Sequence, residues 1–462
     1  MSELLDRART IYESLPIADL KAAGIWPAPD YELVFNYPPY YCLDPVDSRI
    51  VFPEHERVLP GPRPVAIYVH IPFCQSICAY CHYARRAGWT TMDIDLYLST
   101  LRKEAMFFRR LYKTRIFEAQ SLHVGGGTPS LLGLRQLDKL MEVLHQAASF
   151  PLDIERTIEA NPATISRPWL VHTRDLGFNR LNVGVQSFDD KLLKVCRRPH
   201  TARQAIEAIE LARESGFENI NVDLMFGLPG QTFEQWEATL KTLIQLQPAS
   251  VTCYKLRRKL GTVFGRLPSE LFPSVEDQLL MHIMAIEGLT DAGYLPWHFE
   301  TLFVRDPKFT HKQQEWKWQE SGELLGLGVS AYSYLNQCVY HNTQDQKEYL
   351  DLLAQNRLPI AVGRHLTNSE QMHRWMVLGL MMLKVEQEPF RQRFSINPSA
   401  TFAEPLQRLE GLGLIKVTDK TIQVTQYPGL LFPMEIMTQF YTPEDTARLQ
   451  AEGLHYGSFP VR

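Results

Sequence analysis

Hydrophobic positions along the chain alternate between two rhythms. Short apolar runs recur at 66–71 (AIYVHI), 121–126 (SLHVGG), 156–160 (RTIEA), 181–187 (LNVGVQS), 219–227 (NINVDLMFG) and 250–256 (SVTCYKL). Their length and their β-branched content predict strands. Between them the apolar residues take helical spacing. Ile94, Leu98, Leu101, Ala105, Phe108 and Tyr112 mark a helix over 93–112, and Leu134, Leu137, Met141 and Leu144 mark another, with Ser130 as its expected cap. Thr201 with Gln204, and Thr232 with Gln235, form two capping boxes that start further helices. Six strands alternating with five helices predict parallel β-structure with helical crossovers. An open doubly wound sheet and a partial barrel both satisfy that alternation.

The flanks break the rhythm. Residues 1–62 contain NYPPYYCLDP and VLPGPRP and read as an irregular leading arm wrapped on something larger. The alternating part fills 63–300, and 301–365 reads as a connecting region that completes the active site. From 366 to 462 the chain turns helical (SEQMHRWMVLGLMML, then AEPLQRLEGLG). A two-stranded wing, LIKVT and TIQVT, follows around Asp419–Lys420. This C-terminal helical, winged-helix-like domain is expected to be a structural lid rather than a reader of nucleic acid.

Composition narrows the function classes. The chain has 462 residues, 45% hydrophobic and 22% charged, with a formal net charge of −4. That balance supports a large core and gives no basic field for nucleic acid. The N-terminus MSELLDRARTIYESL lacks the basic and apolar regions of a secretory signal. The longest apolar window, WMVLGLMML at 375–383, is too short to span a bilayer. The expected setting is therefore the reducing cytoplasm, with no membrane partner. An odd count of seven cysteines agrees with free thiols.

Three of those cysteines crowd into YVHIPFCQSICAYCHY at 68–83. Cys74, Cys78 and Cys81 lie directly after a predicted strand. A structural zinc site wants four ligands, usually as two separated pairs; His82 is the one nearby candidate for a fourth. Three thiolates in a C-x3-C-x2-C loop suit a [4Fe–4S] cluster with one iron left open for a ligand. A glycine triplet in HVGGGTPS at 123–130 follows the next strand and exposes backbone groups. Glu159 and Gln186 end further strands, with Arg198 beyond, and Asp223 lies inside an apolar run. A lone carboxylate there is costly without a partner. At corresponding strand ends these side chains would share one polar, adenosine-sized pocket.

Several stretches in this order resemble the radical S-adenosylmethionine superfamily, in its oxygen-independent coproporphyrinogen III dehydrogenase-like branch. They are YVHIPFC with C-x3-C-x2-C, GGGTPS, EANP (159–162), GVQSF (184–188) followed by RRPH (197–200), DLMFGLPGQT (223–232) and GLGVSAYS (326–333). The resemblance implies a partial (β/α)6 barrel with a [4Fe–4S] cluster on Cys74, Cys78 and Cys81. It implies S-adenosylmethionine on the open iron, cleaved to a 5′-deoxyadenosyl radical, and an electron donor such as flavodoxin or ferredoxin. Tyr68, Gly126, Glu159 and Tyr332 match positions around that cofactor. Tyr80, Gly127, Thr128, Gln186, Arg198 and Asp223 match positions that contact a second S-adenosylmethionine. No catalytic residue beyond these is assigned. Two departures matter. The dehydrogenase carries a fourth cysteine where this chain has Tyr83. The heme-chaperone group carries H-N-x-x-Y-W where 311–316 read HKQQEW, which keeps His311 and Trp316. The branch also includes methyltransferases and cyclopropanases, so the expected reaction is one-carbon transfer from the second cofactor to a small-molecule substrate. Porphyrinogen decarboxylation and heme delivery are the alternatives.

Overall fold

The computed structural model describes residues 2–27, 36–46, 51, 62–111, 117–259, 261–299, 302–319 and 321–451. Tyr112, much of the arm including most of VLPGPRP, and the last residues of the C-terminal stretch lie outside them. Six strands run parallel in chain order: β1 (Arg63–Ile71), β2 (Phe117–Gly126), β3 (Glu155–Ala160), β4 (Arg180–Gln186), β5 (Asn219–Phe226) and β6 (Ser250–Lys255). This is the expected partial (β/α)6 architecture. The sheet continues on both sides. Beyond β6 come β7 (Leu295–His298) and β8 (Leu302–Val304), with β8 antiparallel to β6. Beyond β1, β9 (Leu324–Leu327) is parallel, and β10 (Tyr332–Leu335), β11 (Cys338–Asn342) and β12 (Ile360–His365) form an antiparallel meander. In the sequence this meander showed only as the motif GLGVSAYS.

The parallel strands bury one face apolar and turn the other, polar face inward. Leu181, Val183 and Val185 of β4, Ile220, Val222 and Leu224 of β5, and Val251 and Cys253 of β6 all join the main core. Their alternates, Arg180, Asn182, Asn221, Asp223, Thr252 and Tyr254, line a cavity. A period of two puts successive side chains on opposite faces, so the same strands build the core and the site.

The leading segment is not irregular throughout. Helix α1 (Glu3–Ser14) places Leu4, Leu5, Ala8, Ile11 and Tyr12 against the core, a spacing near 3.6 residues that its polar surroundings obscured. Its Arg7 Nε lies 3.3 Å from Glu287. The crossover helices are α2 (Thr91–Leu111), α3 (Leu134–Ala147), α4 (Arg167–Asp175), α5 (Ala202–Glu214) and α6 (Phe233–Leu246), with α7 (Val275–Asp291) following β6. Both capping boxes form: Gln204 N donates to Thr201 Oγ1 at 3.2 Å, and Gln235 N to Thr232 Oγ1 at 3.3 Å. Ser130 does not cap α3. It sits in a 3-10 turn, where its hydroxyl accepts from Asn161 N at 3.0 Å; Gln136 instead accepts from the Gly133 N–H at 3.0 Å.

The C-terminal region opens with α8 (Asn368–Met381) and carries a three-stranded antiparallel wing of β13 (Lys384–Glu386), β14 (Ile415–Val417) and β15 (Thr421–Val424). Buried Asp445 joins the leading arm to the sheet. Its Oδ2 accepts from Tyr37 Oη at 2.6 Å, and its Oδ1 accepts from Arg364 Nη2 of β12 at 2.7 Å. Among the described residues no helix is long and apolar enough to cross a membrane.

Candidate active site

The cysteine loop leaves the carboxyl end of β1 and is braced by backbone hydrogen bonds. Cys74 N donates to Arg86 O at 2.9 Å and Arg86 N to Pro72 O at 2.6 Å. Trp89 Nε1 donates to Cys74 O at 2.8 Å. Cys74, Cys78 and Cys81 all line a cavity of about 360 Å³. Burial raises the Cys74 thiol and pushes Cys81 up to about 11; coordination to a metal deprotonates a thiol outright. His82 stacks on Tyr83, with ring centres 4.5 Å apart. Among the described residues no three His, Cys, Asp or Glu side chains converge on a single-ion position. A thiol-only donor set facing a shared volume fits a [4Fe–4S] cluster better than zinc.

The glycine triplet ends β2 against this loop. A Cβ on Gly127 would stand 2.7 Å from Phe73 O, 2.9 Å from Ile71 O and 3.0 Å from Cys74 Sγ. Gly126 has φ +110°, and a Cβ there would meet the His70 ring at 2.7 Å. Only residues without side chains let strand and cysteine loop approach this closely.

Beside the glycines stands Glu159. Its Oε2 accepts from Gly126 N at 3.1 Å, and its Oε1 pairs with His123 Nε2 at 2.9 Å. Tyr68 Oη lies 3.0 Å from His70 Nδ1, and its ring stacks near Tyr332 with centres 6.3 Å apart. Tyr68, Gly126, Glu159 and Tyr332 therefore share one wall.

The residues expected around a second cofactor share the cavity too. Arg198 Nη1 is 3.3 Å from Cys78 Sγ and donates to Tyr80 Oη at 3.4 Å, while Nη2 donates to Gly184 O. Burial opposes the charge on Arg198, but Tyr80 and Cys78 hold its pKa above the usual value. Gln186 has φ +72°, beside a register shift against β5, and its buried Oε1 has no hydrogen-bond partner. Strained backbone and an orphaned acceptor are typical of ligand sites. Asp223 receives Asn182 Nδ2 at 2.9 Å and Asn221 Nδ2 at 2.8 Å. Burial, with Glu159 nearby, pushes it up to about 7. Gly127, Thr128 and Tyr80 complete this side.

Sequence reasoning missed several lining residues: His123, Arg180, Asn182, Tyr254 and Lys317. The period-two alternation pointed to those on the strands. Lys317 has no such signal, because it lies in a π-helical turn, Glu315–Gln319.

The profile of the radical SAM superfamily matches residues 68–243, and that of the HemN C-terminal domain matches 366–431. The heme chaperone HemW of Bacillus subtilis is 30% identical over 378 residues, covering 81% of this chain and 98% of that protein. The oxygen-independent coproporphyrinogen III oxidase of Escherichia coli is 31% identical over 385 residues, covering 80% and 84%. A solved structure described as coproporphyrinogen III oxidase (HemN) from Escherichia coli, a radical SAM enzyme, superposes with a TM-score of 0.79 at 29% identity, covering 93% of this chain and 99% of that one. The chain belongs to the radical SAM superfamily. Within it the protein is of the HemN/HemW type. A [4Fe–4S] cluster and S-adenosylmethionine come with that family.

Proposed function

We propose that the protein is a catalyst holding two S-adenosylmethionine molecules in one cavity, and that it moves a one-carbon unit onto an unactivated carbon of a small-molecule substrate. The supporting observation is that Tyr68, Gly126 and Glu159 share a cavity with Gln186, Arg198 and Asp223. When bound, the cluster, fed by a donor such as flavodoxin or ferredoxin, supplies the electron that cleaves S-adenosylmethionine to methionine and a 5′-deoxyadenosyl radical. The protein's own part is to bind, orient and exclude water. Glu159, fixed by Gly126 N and His123, accepts from ribose hydroxyls. Arg198 is a half-buried cation for a carboxylate. The orphaned Gln186 and the Asn-braced Asp223 offer polar contacts to the second molecule. The transfer would require both reacting carbons within the roughly 3–3.5 Å of a near-attack arrangement, a closeness that one shared cavity would allow.

The test is anaerobic incubation with methyl-deuterated S-adenosylmethionine, a strong reductant and cell extract as the source of substrate. Deuterium in 5′-deoxyadenosine together with S-adenosylhomocysteine is the expected result. Vinyl porphyrin and carbon dioxide from coproporphyrinogen III, without S-adenosylhomocysteine, would replace it with the second reading, propionate decarboxylation. The full-length match to the Escherichia coli oxidase favours that second reading; Tyr83 in place of its fourth cysteine favours the first.

Catalysis ranks above heme delivery, the reading that the likeness to the Bacillus subtilis heme chaperone suggests. His311 is buried inside the barrel, 3.3 Å from His123 Nδ1 and 3.7 Å from Glu155, so its ring is already engaged. Stoichiometric heme binding lost in His311→Ala, with no 5′-deoxyadenosine formed, would reverse that ranking.

A further inference from the structure

A run of ring contacts leads from the cofactor wall to the surface. Tyr68 and Tyr332 both border the cavity, with ring centres 6.3 Å apart. Tyr332 on β10 lies directly opposite His341 on β11 in the antiparallel register, and their ring centres are 5.7 Å apart. Cross-strand neighbours of this kind are close enough for their side chains to touch. His341 meets the Tyr40 ring edge-on at 5.2 Å, and Tyr40 meets Tyr41 edge-on at 5.6 Å. Tyr41 is 39% exposed. Tyr40 and Tyr41 sit in a 3-10 turn, Tyr40–Cys42. They belong to the arm motif NYPPYYCLDP, which the proposed function does not use.

Ring pairs with centres 4.5–7 Å apart are ordinary core packing, and the C-terminal region has such a cluster in Trp375, Phe390, Phe394 and Phe402. The run from Tyr68 to Tyr41 differs in chemistry and in course. Each of its members carries an O–H or an N–H, and none is a phenylalanine. It starts at a cavity and ends at solvent. A phenol gives up its hydroxyl hydrogen more readily than an aliphatic carbon gives up hydrogen, so a primary alkyl radical reacts downhill with tyrosine. A neutral imidazole donates from one nitrogen and accepts at the other. Burial pushes His341 down to about 3, which keeps its ring neutral at pH 7 and fit to pass a proton from one neighbour to the next.

We infer that Tyr332, His341, Tyr40 and Tyr41, with Tyr68 feeding the first of them, form a relay that carries a stray radical out of the cavity to the surface. The relay needs only that a 5′-deoxyadenosyl radical arises in the cavity, which one-carbon transfer and propionate decarboxylation share. With no substrate in place, that radical takes the hydroxyl hydrogen of Tyr332. A C–H bond forms, an O–H bond breaks, 5′-deoxyadenosine results and Tyr332 becomes a phenoxyl radical. Tyr332 then regains an electron from Tyr40 and a proton from His341, and His341 takes up the proton that Tyr40 loses. A second exchange of one electron and one proton moves the phenoxyl from Tyr40 to Tyr41. There a low-molecular-weight thiol gives up a hydrogen atom and restores the phenol, and two thiyl radicals pair as a disulfide.

The experiment is a single turnover without substrate. Anaerobic, cluster-loaded protein is reduced with dithionite, freed of excess reductant and mixed with S-adenosylmethionine. Each electron spent then gives one 5′-deoxyadenosine and one phenoxyl radical. With no thiol present, surface phenoxyls of two molecules couple through a carbon–carbon bond, and mass spectrometry locates the dityrosine. It is expected at Tyr41. Tyr40→Phe keeps the ring but has no hydroxyl, so it should retain the 5′-deoxyadenosine yield while the Tyr41 product falls at least fivefold. Glutathione should remove that product from the wild type. 5′-Deoxyadenosine formed with no Tyr41 product would overturn the inference. So would an undiminished product in Tyr40→Phe, which would bring the radical to Tyr41 by another route, or a product that forms without S-adenosylmethionine. Absence of 5′-deoxyadenosine from the wild type would overturn it too, since no radical would then enter the cavity. Neither S-adenosylhomocysteine nor carbon dioxide enters this readout, so the choice between the two reactions does not affect it.

Discussion

Gly127→Ala tests whether the glycine triplet holds the cluster site together. The added Cβ would lie 2.7 and 2.9 Å from two backbone oxygens, Phe73 O and Ile71 O, and 3.0 Å from Cys74 Sγ. Comfortable carbon contacts begin at roughly 3.5 Å, so all three atoms must retreat. The oxygens cannot do so by a rotamer change, since Ile71 O accepts from Gly127 N at 2.7 Å and Phe73 belongs to the bridge with Arg86. Overpacking of this kind costs about 1–3 kcal/mol. The displacement falls on Cys74, so the loss should appear in metal content before it appears in folding. The assay is iron per chain after anaerobic reconstitution, alongside the apparent Tm. We expect under half the wild-type iron, with a lowered Tm. Gly411→Ala is the control. It ends a helix with nothing within 4 Å of the new Cβ, and alanine there should leave iron unchanged and stabilise by about 0.4–1 kcal/mol. Full iron and an unshifted Tm in Gly127→Ala would refute the claim that backbone proximity fixes the cysteine loop.

Four further outcomes are expected. Alanine at Cys74, Cys78 or Cys81 abolishes the brown [4Fe–4S] absorption, whereas alanine at Cys42, Cys196, Cys253 or Cys338 leaves it; zinc without iron in the wild type would contradict this. Glu159→Ala slows 5′-deoxyadenosine formation at least tenfold while retaining iron, since a hydrogen bond to a charged group contributes roughly 1.5–3 kcal/mol; an unchanged rate would remove Glu159 from the cofactor wall. Glu104→Leu strands three donors now held by that buried carboxyl, Gly328 N at 2.9 Å, Asn342 Nδ2 at 2.7 Å and Tyr349 Oη at 2.6 Å, and should lower stability by several times the ~1–3 kcal/mol of one unsatisfied group; a Tm within a degree of wild type would refute it. For pH, burial depresses His70, His200, His282, His298, His311 and His341 below the ordinary 6.5, so the unfolded chain binds more protons at these sites and stability rises towards pH 6.5. Glu104, Glu155 and Asp223, raised to about 7, act oppositely. The histidines outnumber them, so apparent Tm should climb from pH 5 to 6.5, and a flat or falling profile would contradict the balance.

The strands were legible because each is an apolar run between turn signals, and the two Thr–Gln capping boxes are local chemistry that needs no tertiary context. The cysteines, glycines and strand-end polar residues could be grouped because parallel strands send their carboxyl ends to one side. The missed features depend on distant partners. Ser130 satisfies the capping pattern locally, yet Asn161 and Thr164 recruit its hydroxyl. Helix α1 hid because its apolar stripe is narrow and makes sense only against α7. Lys317 reads as one more solvated lysine in HKQQEWKW; its burial is created by Tyr332 and by the packing of α8, far along the chain.

The shared carboxylate of Asp445 has a consequence for how the molecule assembles. Tyr37 from the leading arm and Arg364 of β12 both close on Asp445, a residue synthesised after either of them. During synthesis, therefore, the arm has no anchor at this point, and Arg364 has no Asp445 to pair with, until the helix Pro443–Ala451 emerges. The meander from β10 to β12 includes Tyr332, so a clasp on Arg364 of β12 also braces the sheet segment that carries a lining residue of the cavity. The Asp445 clasp thus ties a tyrosine 408 positions away in sequence to the same sheet that builds the site.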